Sequence, residues 1–81
     1  MEGTEEFWDA YWTEIEASRF SLIAAGLLLE EAEKTEDIPT LRDYKRRHAK
    51  HIRAAYRHLR KAERFRKKIE RFEKKARKSN G

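Results

Sequence analysis

Three histidines have the residue type and spacing closest to a metal site in this 81-residue sequence. His48 and His51 are three residues apart, and His58 follows seven residues later, so an α-helix would place all three on one side. Two helical histidines at this spacing bind a metal only when another segment supplies further ligands. An antiparallel partner helix would set Ala24 and Leu27 opposite them, and neither is a ligand. We therefore expect polar residues flanking a helix interface, and no metal or cofactor.

Two pairs of arginine and histidine share a second spacing. Arg46 precedes His51 by five residues, and Arg53 precedes His58 by five. An Arg and a His at this spacing on a helix resemble the active-site pattern of the HEPN ribonucleases. The resemblance implies one alternative, a ribonuclease with these pairs at its active site.

Carboxylates for acid–base catalysis need a shielded pocket. The acids cluster at Glu14 and Glu16 and again at Glu30, Glu31 and Glu33, where most would project from a charged helix into solvent. The sequence contains no glycine-rich phosphate loop, no nucleophile motif and no calcium loop. We therefore predict a protein that is not an enzyme and has no catalytic residues.

The strongest signal is a basic stripe on one long helix. Residues 40–78 contain no Gly or Pro and carry 18 Lys and Arg against four acids. At ~100° per residue, ten of these cations fall on the side opposite the apolar face, over on the order of 45 Å. We call these ten residues the basic stripe: Arg46, Lys50, Arg53, Arg57, Arg60, Lys61, Arg64, Lys68, Arg71 and Lys75.

Two ladders with a period of seven residues predict the elements that carry the stripe. The first ladder is Trp8, Ile15, Leu22 and Leu29, followed three places later by Tyr11, Ser18, Ala25 and Ala32, and the small residues among these predict a close approach of the two helices. The second ladder is Leu41, His48, Ala55, Ala62, Ile69 and Ala76. Such periods are typical of one helix packed along another. The predicted fold is all-α: one domain over residues 1–81, an antiparallel hairpin with helix 1 at about 4–35, a turn at 36–39 and helix 2 at about 40–78.

The ends of these helices have recognisable signals. Thr4 is the expected N-cap of helix 1, and Thr40 with Asp43 resembles a capping box for helix 2. Pro39 disfavours helix at the residue before it and so predicts the break between the helices. The predicted hairpin interface contains eight large residues: Trp8, Ile15, Leu22, Leu29, Leu41, Ile52, Leu59 and Phe65.

Helix 1 has more apolar residues than one hairpin needs. Phe20, Ile23 and Leu27 face away from the first ladder, and an uncovered strip of this kind indicates an association surface. We predict a homodimer that forms a four-helix bundle, with these three residues in its interface. The direction of packing between the two copies stays open.

Composition limits the compartment and the class of partner. There is no cysteine, and the longest mostly apolar run covers only residues 20–29, too few to span a bilayer. We expect no signal peptide, no membrane segment and a cytoplasmic or nucleoid-associated protein. Residues 1–41 have a net charge of −9 and residues 42–81 a net charge of +14. This asymmetry predicts an acidic partner for the second half.

Nucleic acid is the commonest polyanion, and we predict that the stripe binds the DNA or RNA backbone without strong sequence specificity. No Asn or Gln lies within residues 40–78 to contact base edges. Tyr56 is expected to pack half-buried, with stacking on a base as the alternative. The alternative is an adaptor or inhibitor, such as a phage or viral accessory protein, that docks on an acidic surface of a larger protein or nucleoprotein assembly. In outline the architecture resembles the small dimeric helical-hairpin proteins that bind RNA, such as plasmid copy-number regulators.

Overall fold

Two long α-helices pack against each other in the computed structural model, which describes residues 2–80 and the side chains of residues 4–78. Helix α1 spans Glu2–Glu33 and helix α2 spans Ile38–Asn80. They form a hairpin whose Cα atoms extend over 65 × 14 × 13 Å, which confirms the predicted all-α fold. Met1 and Gly81, included in the predicted domain, lie outside the described residues. Within the described chain, neither helix combines the length and apolar character needed to cross a bilayer.

The turn between the helices closes α1 and caps α2. At the end of α1, the backbone N–H groups of Lys34 and Thr35 donate to carbonyls three residues earlier, at 3.1 and 3.3 Å. Asp37 then caps α2: its Oδ2 accepts hydrogen bonds from the Thr40 backbone N at 3.1 Å and from the Thr40 hydroxyl. Pro39 lies in the first turn of α2, where its missing N–H leaves no helical hydrogen bond unmade.

The helix ends therefore differ from the predicted ones. α1 begins at Glu2, before the predicted cap at Thr4, and α2 begins at Ile38, two residues before Thr40. The predicted capping box of Thr40 and Asp43 does not form as such, because Asp37 already satisfies the Thr40 N–H. Asp43 pairs instead with Arg47, with 3.1 Å between its Oδ2 and the Arg47 Nε.

Small side chains occupy the centre of the contact between the helices. The fully buried residues are Ser18 and Ala25 of α1 with Ala55, Ala62 and Ile69 of α2, and we call these five the seam. The Ser18 hydroxyl donates to the Ile15 carbonyl at 2.7 Å, so its burial leaves no polar group unsatisfied. Alanine and serine lack bulk, so the two backbones can approach closely along this line.

The bulky ladder of α1 is displaced to the edge of this contact. Trp8, Leu22 and Leu29 remain partly exposed, as does Leu59 of α2, with Leu29 51% exposed. These four residues, predicted to hold the hairpin interface, thus lie at its edge and not at its centre. A residue four positions from a seam residue lies on the same side of the helix but beside the line of closest contact, as Leu29 does next to Leu41 and Tyr44 of α2.

An aromatic group covers the end of the hairpin remote from the turn. The ring centroids of Phe7 and Phe72 lie 5.7 Å apart across the two helices, while Trp8, Tyr11 and Trp12 contact one another edge-on along α1. Aromatic contacts of this geometry contribute beyond the area that they bury. The pairing of Phe7 with Phe72 shows that the helices run antiparallel from the turn to this end.

Candidate functional site

The basic stripe lies on one unbroken helix. All ten of its side chains are exposed, because they lie on the sides of α2 away from the buried seam; of these, Lys68 reaches back to a ring of α1. From Arg46 to Lys75 the stripe covers about 44 Å at ~1.5 Å per residue. The structure thus brings all ten predicted residues onto one continuous surface.

Most of the stripe lacks a carboxylate partner. Three cations of α2 that pair with acids, Arg47, Arg66 and Arg77, lie outside the stripe. The ammonium of Lys68 lies 5.7 Å from the ring centroid of Phe7 and 5.5 Å from that of Phe65. Within residues 4–78, eight stripe residues have no carboxylate at ion-pairing distance: Arg46, Lys50, Arg53, Arg57, Arg60, Lys61, Arg64 and Arg71.

The acids of α2 are neutralised away from the stripe. Arg66 contacts Glu63 with two nitrogens, at 3.0 and 2.6 Å, and reaches Glu70 with a third at 3.2 Å. The hydrogen bond to Arg66 lowers the pKa of Glu63, and the bond to Glu63 raises the pKa of Arg66. These carboxylates are thus held in local pairs with arginines that lie outside the stripe.

The middle of α2 is the most purely cationic part of this surface. Residues 44–62 contain eight Lys and Arg and no acid. Two shallow grooves run along it and share Lys50 and Arg57; one also contacts Tyr56 and the other His51. Tyr56 is 61% exposed, so the expectation that it packs half-buried is wrong. An aromatic face beside several cations is suited to stacking as well as to charge pairing.

The histidines face the packed side of α2. His58 Nδ1 lies 2.6 Å from Glu14 Oε2 on α1, and both side chains are partly buried. His48 and His51 are also half-buried. Within the described chain, no three His, Cys, Asp or Glu side chains come together as a metal site. Arg53 points to solvent while His58 turns to Glu14, so this Arg–His pair does not converge on a common pocket.

A second exposed surface lies on α1. Phe20 is 71% exposed, and Ile23 and Leu27 are also largely exposed, so α2 does not cover the three predicted interface residues. A shallow depression on the same helix is lined by Glu16, Arg19, Phe20 and Ile23. Leu22 and Leu29, predicted to lie inside the hairpin, are about half exposed at the border of its contact, where Leu29 lines a depression with Leu41 and Tyr44 of α2.

No protein-family model, characterised protein or solved structure is significantly similar to this chain. The functional inference therefore rests on the two exposed surfaces of the hairpin, the basic stripe of α2 and the apolar surface of α1.

Proposed function

We propose that this protein is a non-enzymatic binding protein whose basic stripe binds the backbone of DNA or RNA without strong sequence specificity. The observation that supports this most directly is the row of eight exposed stripe cations without a carboxylate partner within residues 4–78. Like charges three or four residues apart on a helix repel one another. Phosphates would relieve this repulsion, and their bound counterions would be released into solution.

The composition of the stripe suits phosphate. Six of its ten members are arginine, whose planar guanidinium forms two parallel hydrogen bonds to a phosphate. The stripe carries roughly one cation per 4.4 Å of helix, whereas duplex DNA carries one negative charge per ~1.7 Å of its axis, so the charge density of the stripe is lower. It can therefore neutralise at most about ten phosphates, which sets an upper limit of about 9 on the slope of log K against log salt.

Binding to random oligonucleotides tests the proposal. Fluorescence anisotropy with single-stranded RNA, single-stranded DNA and duplex DNA of about 20 nucleotides, from ~50 to 200 mM salt, should show affinity that falls steeply with salt. Sequence changes in the oligonucleotide should have little effect. The absence of binding to all three at ~50 mM salt would remove the proposal.

Two triple variants with the same change in net charge distinguish an effect of the stripe from an effect of overall charge. Replacing Arg53, Arg57 and Arg64 by Glu should lower affinity at least a hundredfold with helicity unchanged, because about three phosphate contacts become repulsive. The control replaces three exposed cations outside the stripe by Glu: Lys34, Arg42 and Lys45. The control should lose affinity only slightly; equal losses in both would show that overall charge, not the stripe, governs binding.

An acidic protein surface is the other ligand class that matches the stripe. A pull-down with and without nuclease distinguishes the two classes, since a nucleic-acid complex is released by nuclease and a protein complex is not. One protein that stays bound after nuclease, together with no oligonucleotide binding, would replace the present proposal with the adaptor or inhibitor function.

We also propose that the protein acts as a homodimer, with four helices in the assembly and Phe20, Ile23 and Leu27 in the interface. Their exposure supports this, because burying such side chains is favourable by about 25 cal/mol per Å² of apolar surface. Sedimentation at micromolar concentration should give twice the chain mass of 9.8 kDa. A species of the single-chain mass would contradict the homodimer.

A further inference from the structure

Gly26 lies in the middle of the exposed apolar surface of α1. Its neighbours three and four residues away along the helix are Leu22, Ile23 and Leu29, all about half exposed, and the exposed Glu30. A Cβ atom added at Gly26 would meet nothing within 4 Å. Glycine is the least favourable residue inside a helix after proline, and the hairpin itself does not need one here.

We propose that Gly26 is the point at which the α1 helices of two copies cross, packed antiparallel. The inference rests on the proposed homodimer and specifies its axis. A residue without a side chain, with apolar residues at three of its four neighbouring positions, lets a second helix approach closely and pack against those apolar side chains. The same features are present on both copies, as a two-fold interface requires.

The charges of α1 select the antiparallel direction. A two-fold axis at Gly26 sets each residue opposite the one equally far on the other side of Gly26. Arg19 is the one cation within Glu2–Glu33 of α1, and it then lies opposite Glu33 of the second copy. Ile23 likewise lies opposite Leu29 of the second copy. A parallel pair would place Arg19 against Arg19 and Glu33 against Glu33, so like charges would meet twice.

The middle of α1 carries little charge that would oppose this contact, and the nearest acid, Glu30, lies at its edge opposite Leu22 of the second copy. Residues 17–29 contain no acid and one cation, Arg19, whereas acids lie on both sides of this segment. The depression beside Arg19 and Phe20 provides room for side chains of the second copy. Because the basic stripe lies on the sides of α2 turned away from α1, this dimer leaves both stripes uncovered.

Single cysteines test the crossing point, since the chain has none of its own. A disulfide needs Cα atoms within about 7 Å. Under mild oxidation the Gly26→Cys variant should form covalent dimers nearly completely. The control, Lys67→Cys on the exposed side of α2, should stay almost entirely uncrosslinked.

Two further cysteine variants report the direction. Arg19→Cys and Glu33→Cys should each crosslink poorly alone and well when the two proteins are mixed. Efficient crosslinking of Arg19→Cys with itself would show a parallel pair and overturn the proposal. A protein that sediments as a dimer, but whose Gly26→Cys variant does not crosslink, would leave the homodimer and overturn the crossing at Gly26.

The Gly26→Leu variant gives a second measurement that needs no crosslink. Leucine favours helix and has open space around it in the single hairpin, so helicity should be retained or increased. The dimer dissociation constant should nevertheless rise at least tenfold, because the side chain blocks close approach. An unchanged dissociation constant would overturn the proposal. Oligonucleotide affinity of the same proteins, measured separately, tests the proposed function whether or not the dimer forms.

Discussion

Nδ1 of His58 lies 2.6 Å from Oε2 of Glu14, and this contact joins α2 to α1. The side chains are 31% and 19% exposed, so the pair is partly shielded from water. Together with the ring contact of Phe7 and Phe72, it sets which residues of the two helices lie opposite each other. Sliding one helix by a turn would separate both pairs at once.

A double-mutant cycle should show that this pair stabilises the hairpin. Glu14→Ala, His58→Ala and the double variant should give a coupling of about 1 kcal/mol in the free energy of unfolding. The exposed pair Asp43–Arg47 is the control and should give about 0.3–0.5 kcal/mol. Urea unfolding measures both, and a coupling near zero for Glu14 and His58 would show that the contact does not hold the helices together.

Enlarging a seam alanine should force the helices apart. Ala55→Leu or Ala62→Leu adds bulk where each residue is only 2% exposed, and overpacking of this kind costs about 1–3 kcal/mol. Ala49→Leu makes the same change at an exposed position of the same helix, and should change stability by less than about 0.5 kcal/mol. Equal effects of Ala55→Leu and Ala49→Leu on the urea midpoint would argue against close contact at the seam.

Removing the cap of α2 should destabilise the turn. In Asp37→Ala the Thr40 N–H loses its acceptor, and the loss of an N-cap costs about 1 kcal/mol. Asp37→Asn should retain most of the stability, because asparagine is also a good cap. Glu36→Ala, an exposed change next to it, serves as the control in thermal unfolding. A Glu36→Ala effect as large as that of Asp37→Ala would contradict the capping role.

Tyr56 should distinguish single strands from duplexes if the stripe binds nucleic acid. Its exposed ring lies in a groove with Arg53 and Arg57, and stacking of a base on an aromatic ring is worth ~1–3 kcal/mol. Tyr56→Ala should lower single-strand affinity about tenfold and leave duplex affinity nearly unchanged, while Tyr56→Phe should retain both. Equal losses for single strand and duplex would show that Tyr56 does not stack on bases.

The architecture could be predicted from the sequence because its signals are local and repeated. The seven-residue periods and Pro39 locate two helices and the break between them. The observed helix ends at the turn lie only a few residues from the predicted ones. The capping role of Asp37 is not evident from the sequence, because Thr40 and Asp43 form a competing capping motif. Its own signal was its position immediately before the first turn of α2, with Pro39 two residues later.

The interior of the hairpin could be predicted only in part. The five seam residues all belong to the predicted seven-residue ladders, but the sequence did not show that they, and not the bulky residues, form the centre of the contact. The ladder of Trp8, Leu22 and Leu29 has the greater hydrophobicity, yet the small residues beside it, with Ser18 and Ala25 at their centre, are the ones that are buried. Hydrophobicity gives the width of an apolar face, whereas the closest approach of two backbones is decided by volume. The contact of Glu14 with His58 depends on that same approach and leaves no local pattern in either helix.

Because the hairpin is only two helices wide, one turn of α2 contributes both to the interior and to the proposed binding surface. Ala55 of the seam lies between Arg53 and Arg57 of the stripe in the sequence. A ligand held by these arginines immobilises the backbone segment that closes the interior. Its binding free energy adds to the free energy of unfolding, as for any ligand that binds only the folded state. Amide hydrogens on both helices would then exchange more slowly with solvent, including those of α1, which the ligand never touches.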